Sequence, residues 1–278
     1  MSGGRYSRPG IAGTGTIGCG LAAAASALGE VRLLARSDVS AWRAEEAAEG
    51  LVAKTDDGVA SRIKVTTEPR DLARCDLVIE AIKEDLEAKA ELLAALGESS
   101  PDADLASTTS ALSVAELGRR SGKPERTFGL HVFNPVHRME LVELCLPDGL
   151  RAGIAERATE WCRELGKRVV VVPDEVGFVV NRLLFPYLFD AVRLLERTAM
   201  EPEEVDACMT LGAGHPLGPL RLLDMVGLDV AKAIGDALFA DSGEHAHRPP
   251  GRIVEMVGEG RLGRKSGSGF YEYEERLA

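Results

Sequence analysis

The chain has 278 residues, of which 45% are hydrophobic and 28% charged, a balance typical of a globular protein with one large domain or two smaller ones. Its formal net charge of -11 argues against duplex nucleic acid or an anionic membrane as the main partner. The start MSGGRYSRPG lacks an apolar core, and no run approaches the roughly 18 apolar residues of a membrane helix. We therefore expect no signal peptide, no membrane span and a cytoplasmic location.

The five cysteines are scattered along the sequence, and none belongs to a CxxC pair. An odd number of scattered cysteines is typical of reduced thiols inside a cell. We therefore expect neither a disulfide framework nor a metal site.

The first predicted element is a strand at residues 11–12, which we expect to be short or irregular because Pro9 and Gly10 precede it. The loop GTGTIGCG follows it, and the Ala-rich run LAAAASALG predicts a buried helix that stops at Gly29. Further strand-like runs are VRLLA, DLVIEAI, ADLAST, FGLHVF and RVVVV, with helical patterns between them at residues 86–96 and 154–165. This alternation predicts an α/β domain over residues 1–176, with a mostly parallel sheet covered on both faces.

The pattern changes after the segment PDEVGF, where only helical spacing remains. Apolar residues recur at i, i+3 and i+4 from Asn181 onward, and further helices are predicted over residues 202–211, 221–240 and 252–257. We predict an all-α domain over residues 177–278, whose apolar faces are completed by a second subunit.

The loop GTGTIG fits the pattern G-x-G-x-x-G, which binds a dinucleotide when a strand precedes it and a helix follows. In such a loop the first glycine allows a tight turn, the second lets the backbone approach a pyrophosphate, and the third permits close helix packing. The predicted phosphate-binding residues are Gly13, Gly15, Thr16, Ile17 and Gly18.

The residue that follows the second strand decides which dinucleotide is expected. NAD sites place Asp or Glu there to accept hydrogen bonds from the ribose 2′-hydroxyl, but this chain has Arg36 and Ser37. A guanidinium and a hydroxyl suit a 2′-phosphate, and the missing carboxylate removes a repulsion against it. The pattern predicts an NAD(P) site that favours NADP over NAD. The alternative is a solvated Arg36, with Asp38 as the ribose-binding acid.

The stretch LHVFNPVHRMELVEL contains two histidines and two glutamates. A histidine at the carboxyl end of a sheet strand lies where α/β sheets bind ligands, and an adjacent carboxylate makes it a suitable general base. On the residues alone, His131 and His137 are both candidates, and either could be structural.

Six segments in order carry a resemblance to a known family: GTGTIG, STTSAL, HVFNPVHRMELVEL, GFVVNRLLFPYL, LGAGHPLGPLRLLDMVGLD and GRLGRKSGSGFYEY. Together they resemble the (S)-3-hydroxyacyl-CoA dehydrogenase family, which includes the 3-hydroxybutyryl-CoA enzymes. The resemblance covers nearly the whole chain. It implies a Rossmann domain followed by a helical domain that forms a homodimer, and reversible hydride transfer between NAD(P) and the 3-hydroxyl or 3-oxo group of a short acyl thioester.

The resemblance also implies roles for individual residues. His131 matches the catalytic base and Glu143 the residue that orients it, whereas His137 has no catalytic role. The residues that match substrate contacts are Ser110 and Asn181. Those that match the cofactor side of the active site are Glu84, Lys89 and Asn134.

Three departures from the family leave alternatives open. Arg36 replaces the usual acid, Thr108 stands where Asn is common, and residues 37–65 leave little room for the helical tail that helps to hold CoA. The substrate could therefore be a hydroxyacyl group on an acyl carrier protein or a free hydroxy acid. A basic patch for an acidic carrier would comprise Arg119, Arg120, Lys123 and Arg126. An alternative of another class is a non-catalytic dinucleotide-binding or structural homologue.

Overall fold

The computed structural model of the chain describes residues 5–55 and 57–273. The chain divides into two compact units, Met1–Glu175 and Val176–Ala278. In the described part of the first unit, eight strands form one sheet: β1 Pro9–Ala12, β2 Val31–Leu34, β3 Ile63–Thr66, β4 Leu77–Glu80, β5 Asp104–Ser107, β6 Thr127–Val132, β7 Leu141–Cys145 and β8 Arg168–Val172. Its helices are α1 Thr16–Ala25, α2 Asp38–Val52, α3 Leu86–Ser99, α4 Val114–Arg120 and α5 Ile154–Glu164.

The strand order is β3-β2-β1-β4-β5-β6-β7-β8. Strands β1 to β6 are parallel, β7 runs antiparallel to β6, and β8 is parallel to β7. The order reverses between β1 and β4, and such a switch point opens a ligand crevice at the carboxyl ends of the strands. The predicted α/β Rossmann class with a mostly parallel sheet is confirmed.

Strand β1 is short, as expected, and it includes Pro9 and Gly10. Residues 10–12 pair with β2, residues 9–12 pair with β4, and all four residues are buried. Proline is tolerated at the first position of a strand. Gly10 is required by packing, because a Cβ there would lie 2.9 Å from the Cys75 sulfur.

Four elements were not identified from the sequence: β3, β7, α2 and α4. Helix α2 begins after Ser37, whose hydroxyl accepts a hydrogen bond from the Ser40 amide at 3.3 Å. The Ser37 amide donates in return to the Ser40 hydroxyl at 3.0 Å. This reciprocal cap uses serine where Glu or Gln is the usual signal, and the helix buries only Ala44 and Ala48. Its periodicity is therefore weak.

The second unit contains α6 Val180–Arg197, α7 Pro202–Ala207, α8 Pro219–Val226, α9 Leu228–Ser242 and α10 Gly251–Gly258. A π-helical turn, Cys208–Gly212, continues α7. The all-α class is confirmed, but the single helix predicted over residues 221–240 is divided. Gly227 has φ +103°, which an α-helix cannot accommodate, so α8 ends and α9 begins there.

The core of the second unit consists of large apolar side chains from α6, α8, α9 and α10. Its fully buried members include Phe185, Leu188, Phe189, Leu223, Leu238 and Ile253. Among the described residues, each helix of the two units is too short or too polar to cross a membrane.

Buried carboxylates attach the last described segment to this core. Asp224 accepts hydrogen bonds from the Phe270 and Tyr271 amides, both at 2.9 Å, and from the Tyr273 hydroxyl at 3.1 Å. The Tyr271 hydroxyl donates to Asp206 at 2.7 Å. Buried side-chain acceptors therefore help to hold the segment after α10 against this core.

Candidate active site

The glycine loop between β1 and α1 is determined by close backbone packing. Gly13 has φ +127°, and a Cβ there would overlap the Ala81 carbonyl group. A Cβ on Gly18 would overlap the Gly13 carbonyl oxygen, whereas a Cβ on Gly15 would meet no atom within 4 Å. Gly13 and Gly18 are thus required by packing, and Gly15 leaves open space above the N-terminus of α1. That space and the free N–H groups of the helix end fit a pyrophosphate.

A cleft of about 870 Å³ lies at the carboxyl ends of β1, β2, β4 and β5. Its walls include the glycine loop with Thr16 and Ile17, the end of β2 with Arg36, the segment from Ala81 to Glu84, and Ser110. Its position at the switch point fits a dinucleotide. Ser37 and Asn134 were also predicted to contact the cofactor. In the structure Ser37 caps α2, and Asn134 is exposed in the loop after β6.

His131 and Glu143 lie directly opposite each other on the antiparallel pair β6 and β7. The Nδ1 atom of His131 lies 2.7 Å from Oε2 of Glu143, and the two side chains are 5% and 2% exposed. Because an ionised carboxylate only accepts hydrogen bonds, it retains the proton on Nδ1 and leaves Nε2 as the basic nitrogen. The arrangement matches a histidine general base oriented by a carboxylate.

The geometry distinguishes the two histidines. In the described part of the chain, His131 is the one of the pair with a carboxylate against its ring, and the Phe133 ring packs on it at a centroid distance of 4.6 Å. His137 lies partly buried in the connection between β6 and β7. This favours His131 as the base.

Ser110 lies in the loop between β5 and α4, and this loop is held by Glu84. One oxygen of Glu84, Oε1, accepts hydrogen bonds from the Thr109 hydroxyl at 2.6 Å and from the amides of Ser110 at 2.7 Å and Ala111 at 2.9 Å. Glu84 therefore lines the cleft and contacts the Ser110 loop at the same time.

Lys89 lies beneath the cleft in a buried charged cluster. Its Nζ donates to Oε1 of Glu80 at 2.8 Å and lies 3.4 Å from Oε2 of Glu84. The other Glu80 oxygen accepts from the Ser107 hydroxyl at 2.6 Å. Glu80, Ser107 and Thr109 were not predicted from the sequence. The carboxylate of Glu80 in the otherwise apolar strand LVIE was the available signal, since a buried charge requires partners.

Asn181 lies in the first turn of α6, in the second unit, and is buried. His131 and Ser110 belong to the first unit. The predicted contact of Asn181 with the same substrate stays a prediction.

The basic patch predicted for an acidic carrier is not formed as expected. Arg119 and Arg120 both pair with Glu116, and Arg120 also pairs with Glu87. Arg126 is 3% exposed, and its guanidinium donates to main-chain carbonyls at the end of α3 and just after it. Arg126 therefore caps a helix, and the prediction that it belongs to a docking surface is wrong.

The cysteines form no disulfide in the described part of the chain. All five are free, and the four buried ones include Cys145 on β7. Burial raises the pKa of Cys145, which keeps it a neutral thiol at physiological pH. Among the described residues, no three His, Cys, Asp or Glu side chains lie close enough together to hold a metal ion.

Comparison with known proteins identifies the family. Residues 9–176 match the family model "3-hydroxyacyl-CoA dehydrogenase, NAD binding domain", and residues 177–273 match "3-hydroxyacyl-CoA dehydrogenase, C-terminal domain". A 3-hydroxybutyryl-CoA dehydrogenase of Mycobacterium tuberculosis is 38% identical in an alignment 280 residues long that covers 96% of this chain and 98% of that protein. The human mitochondrial hydroxyacyl-coenzyme A dehydrogenase is 36% identical in an alignment 283 residues long that covers 95% of this chain and 90% of that protein.

Solved structures show the same similarity. The crystal structure of M. tuberculosis FadB2 matches with a TM-score of 0.93 at 37% identity, covering 98% of this chain and 100% of that one. The (S)-3-hydroxybutyryl-CoA dehydrogenase PaaH1 of Ralstonia eutropha matches with a TM-score of 0.89 at 34% identity, covering 97% and 100%. The chain belongs to the 3-hydroxyacyl-CoA dehydrogenase family.

Proposed function

We propose that the protein catalyses reversible hydride transfer between NAD(P) and the 3-hydroxyl or 3-oxo group of a short 3-hydroxyacyl-CoA. The observation that carries the proposal is the buried His131–Glu143 pair at 2.7 Å. It lies in the same unit as the cleft of about 870 Å³ at the carboxyl ends of the strands. The names of the relatives support a CoA thioester of short chain length.

In this reaction His131 accepts and returns the proton, and Glu143 orients the His131 ring. The Nε2 atom of His131 takes the proton of the 3-hydroxyl group in the oxidative direction and returns it in the reductive direction. Glu143 holds the Nδ1 proton and stabilises the imidazolium while it exists. Ser110 and Asn181 donate hydrogen bonds to the substrate oxygens and position the reacting carbon. A bound nicotinamide supplies the hydride acceptor or donor.

For the cofactor, Arg36 supports NADP over NAD. Arg36 follows β2, is exposed, and lines the cleft, so its guanidinium is available to a 2′-phosphate. Ser37 contributes less than its sequence position suggests, because its hydroxyl is engaged with Ser40.

The experiment is the steady-state reduction of acetoacetyl-CoA, with NADPH and NADH followed separately by absorbance. Turnover well above background supports the proposed reaction, and a higher kcat/KM with NADPH supports the role of Arg36. The variant Arg36→Asp should then reverse the preference, because a carboxylate accepts from the ribose hydroxyls and repels the phosphate. A clear NADH preference of the unaltered protein would remove the argument for NADP.

The carrier of the acyl group is proposed to be CoA. Its runner-up, an acyl carrier protein, loses support because Arg119, Arg120 and Arg126 are engaged within the chain. Turnover of acetoacetyl-CoA distinguishes the two carriers. Binding of either nicotinamide cofactor without turnover on any hydroxyacyl compound would favour the non-catalytic homologue.

The protein is also proposed to be a homodimer formed through its second unit, as the family resemblance implies. An apolar groove of about 600 Å³ in that unit is lined in part by Leu183 and Met225, whose exposed fractions are 71% and 56%. Burial of such side chains favours association. Light scattering of the protein as it elutes from a size-exclusion column should give the mass of a dimer. The Met225→Glu substitution should lower the measured mass toward that of a monomer. A monomer mass for the unaltered protein would contradict the proposal.

A further inference from the structure

A single carboxylate oxygen holds the loop that carries Ser110. Oε1 of Glu84 receives three hydrogen bonds, all from consecutive residues of that loop, at 2.6, 2.7 and 2.9 Å. Two of the donors are backbone amides. Because backbone amides cannot reorient without moving the chain, their acceptor determines where the backbone of Ser110 lies.

The loop is also held at its start. The hydroxyl of Ser107, the last residue of β5, donates to Oε2 of Glu80 at 2.6 Å. The Thr109 amide donates to the Ser107 hydroxyl at 3.3 Å. The Thr108 amide donates to the Glu80 carbonyl at 3.0 Å. Glu80 and Glu84 thus anchor successive parts of one short loop.

Lys89 joins the two carboxylates. Its Nζ lies between Oε1 of Glu80 at 2.8 Å and Oε2 of Glu84 at 3.4 Å. Lys89 is 1% exposed and Glu80 is fully buried, whereas the Glu84 side chain is 34% exposed. Because isolated buried charges are costly, the three groups stabilise one another's positions. Glu84 is therefore restrained on one side by Lys89 and on the other by the loop.

We propose that Glu84 is a positioning residue that fixes the Ser110 loop relative to the dinucleotide cleft, and that Glu80 and Lys89 hold Glu84 in place. The proposal rests on the proposed function in one respect, the role of Ser110 toward the substrate. It assigns to Glu84 a task beyond contact with the cofactor, and it gives Glu80 and Ser107 a supporting part.

The first test measures hydrogen exchange of the peptide that spans residues 107–112, by mass spectrometry. Glu84→Gln has nearly the same shape, but its single amide oxygen cannot serve both the three loop donors and Lys89. We expect exchange of the Ser110 and Ala111 amides to rise by at least about tenfold, as local opening becomes easier. The matched control is Glu87→Gln on α3, whose carboxylate pairs with Arg120 and should leave this peptide unchanged. Unchanged exchange in Glu84→Gln would overturn the proposal.

The second test is a double-mutant cycle with Ser110→Ala. If Glu84 acts through Ser110, Glu84→Gln alone should lower kcat on the order of 10- to 100-fold, and by less than about threefold when Ser110 is already alanine. An equal loss in both backgrounds, seen mainly as a higher KM for the cofactor, would show that Glu84 acts on the cofactor alone and would overturn the proposal.

If Glu84→Gln does not fold, Glu84→Asp keeps the charge beside Lys89 but withdraws the carboxylate from the loop amides, and the same rise in exchange is expected. Hydrogen exchange also needs no turnover. A protein that fails to reduce acetoacetyl-CoA but shows the rise would contradict the proposed substrate and still support the positioning role.

Discussion

At the scale of residues, the proposed reaction depends on two side chains, His131 and Glu143, that are buried together. The His131 imidazole and the Glu143 carboxylate face each other with water largely excluded. A hydrogen bond to a charged group is stronger in such surroundings, and leaving either partner alone there is costly. One change at His131 should therefore have a large and specific effect.

We predict that His131→Ala lowers kcat for acetoacetyl-CoA reduction by roughly 10²- to 10⁴-fold, as expected for the loss of a general base. His137→Ala is the matched control and should retain nearly full activity. Steady-state absorbance assays of both variants give the comparison. Near-full activity of His131→Ala would refute the assignment of the base.

At the scale of elements, the cleft depends on how closely α1 approaches β1. Gly18 in α1 lies against the Gly13 carbonyl, so the helix begins directly beneath the loop and directs its N–H groups into the cleft. A side chain at this contact would separate the helix from the strand. The expected consequence is a weaker phosphate site.

We predict that Gly18→Ala weakens binding of the nicotinamide cofactor by at least about tenfold, because the added Cβ displaces a helix end on which the phosphate site depends. Gly29→Ala serves as the control, since a Cβ there meets only the Ser7 carbonyl oxygen at 3.7 Å. Fluorescence titration with the reduced cofactor measures both variants. Equal affinity for Gly18→Ala and the unaltered protein would contradict this view of the loop.

At the scale of the whole molecule, each unit has its own core, and the second unit relies on buried carboxylates to retain its last segment. Asp224 is 1% exposed and accepts three hydrogen bonds. Removing it leaves two amides and a hydroxyl without an acceptor, and each such group costs about 1–3 kcal/mol when it stays buried.

We predict that Asp224→Ala lowers the free energy of unfolding by roughly 2–5 kcal/mol, the range for loss of a buried hydrogen-bond network. Asp236→Ala is the control, because that carboxylate pairs with Lys232 at an exposed site and such pairs contribute at most about 1 kcal/mol. Urea denaturation followed by circular dichroism compares the two. A small effect at Asp224 would mean that water replaces the lost acceptor.

The sequence by itself determined the fold class, the family and most of the helices and strands. The fold class and the elements follow from local patterns: the glycine loop before an Ala-rich helix, apolar strand runs, and helical spacing after residue 180. The family follows from the resemblance of six segments to it. The glycine loop located the predicted phosphate-binding residues, and the family resemblance located Glu143 and Ser110 and favoured His131 over His137. The cofactor preference, the length of the substrate's acyl chain and the oligomeric state remain predictions, because a single side chain such as Arg36 or Met225 admits more than one role.

Only the tertiary structure showed the contacts through which these residues meet. The antiparallel register of β6 and β7 places Glu143 against His131, and the sequence left β7 unrecognised. Gly227 divides a helix through a positive φ, and Arg126 is buried against carbonyls of its own chain. Glu84 contacts a loop about 25 residues further along the chain. Contacts of this kind depend on strand order and burial, which residues distant in the chain determine together and no local periodicity encodes.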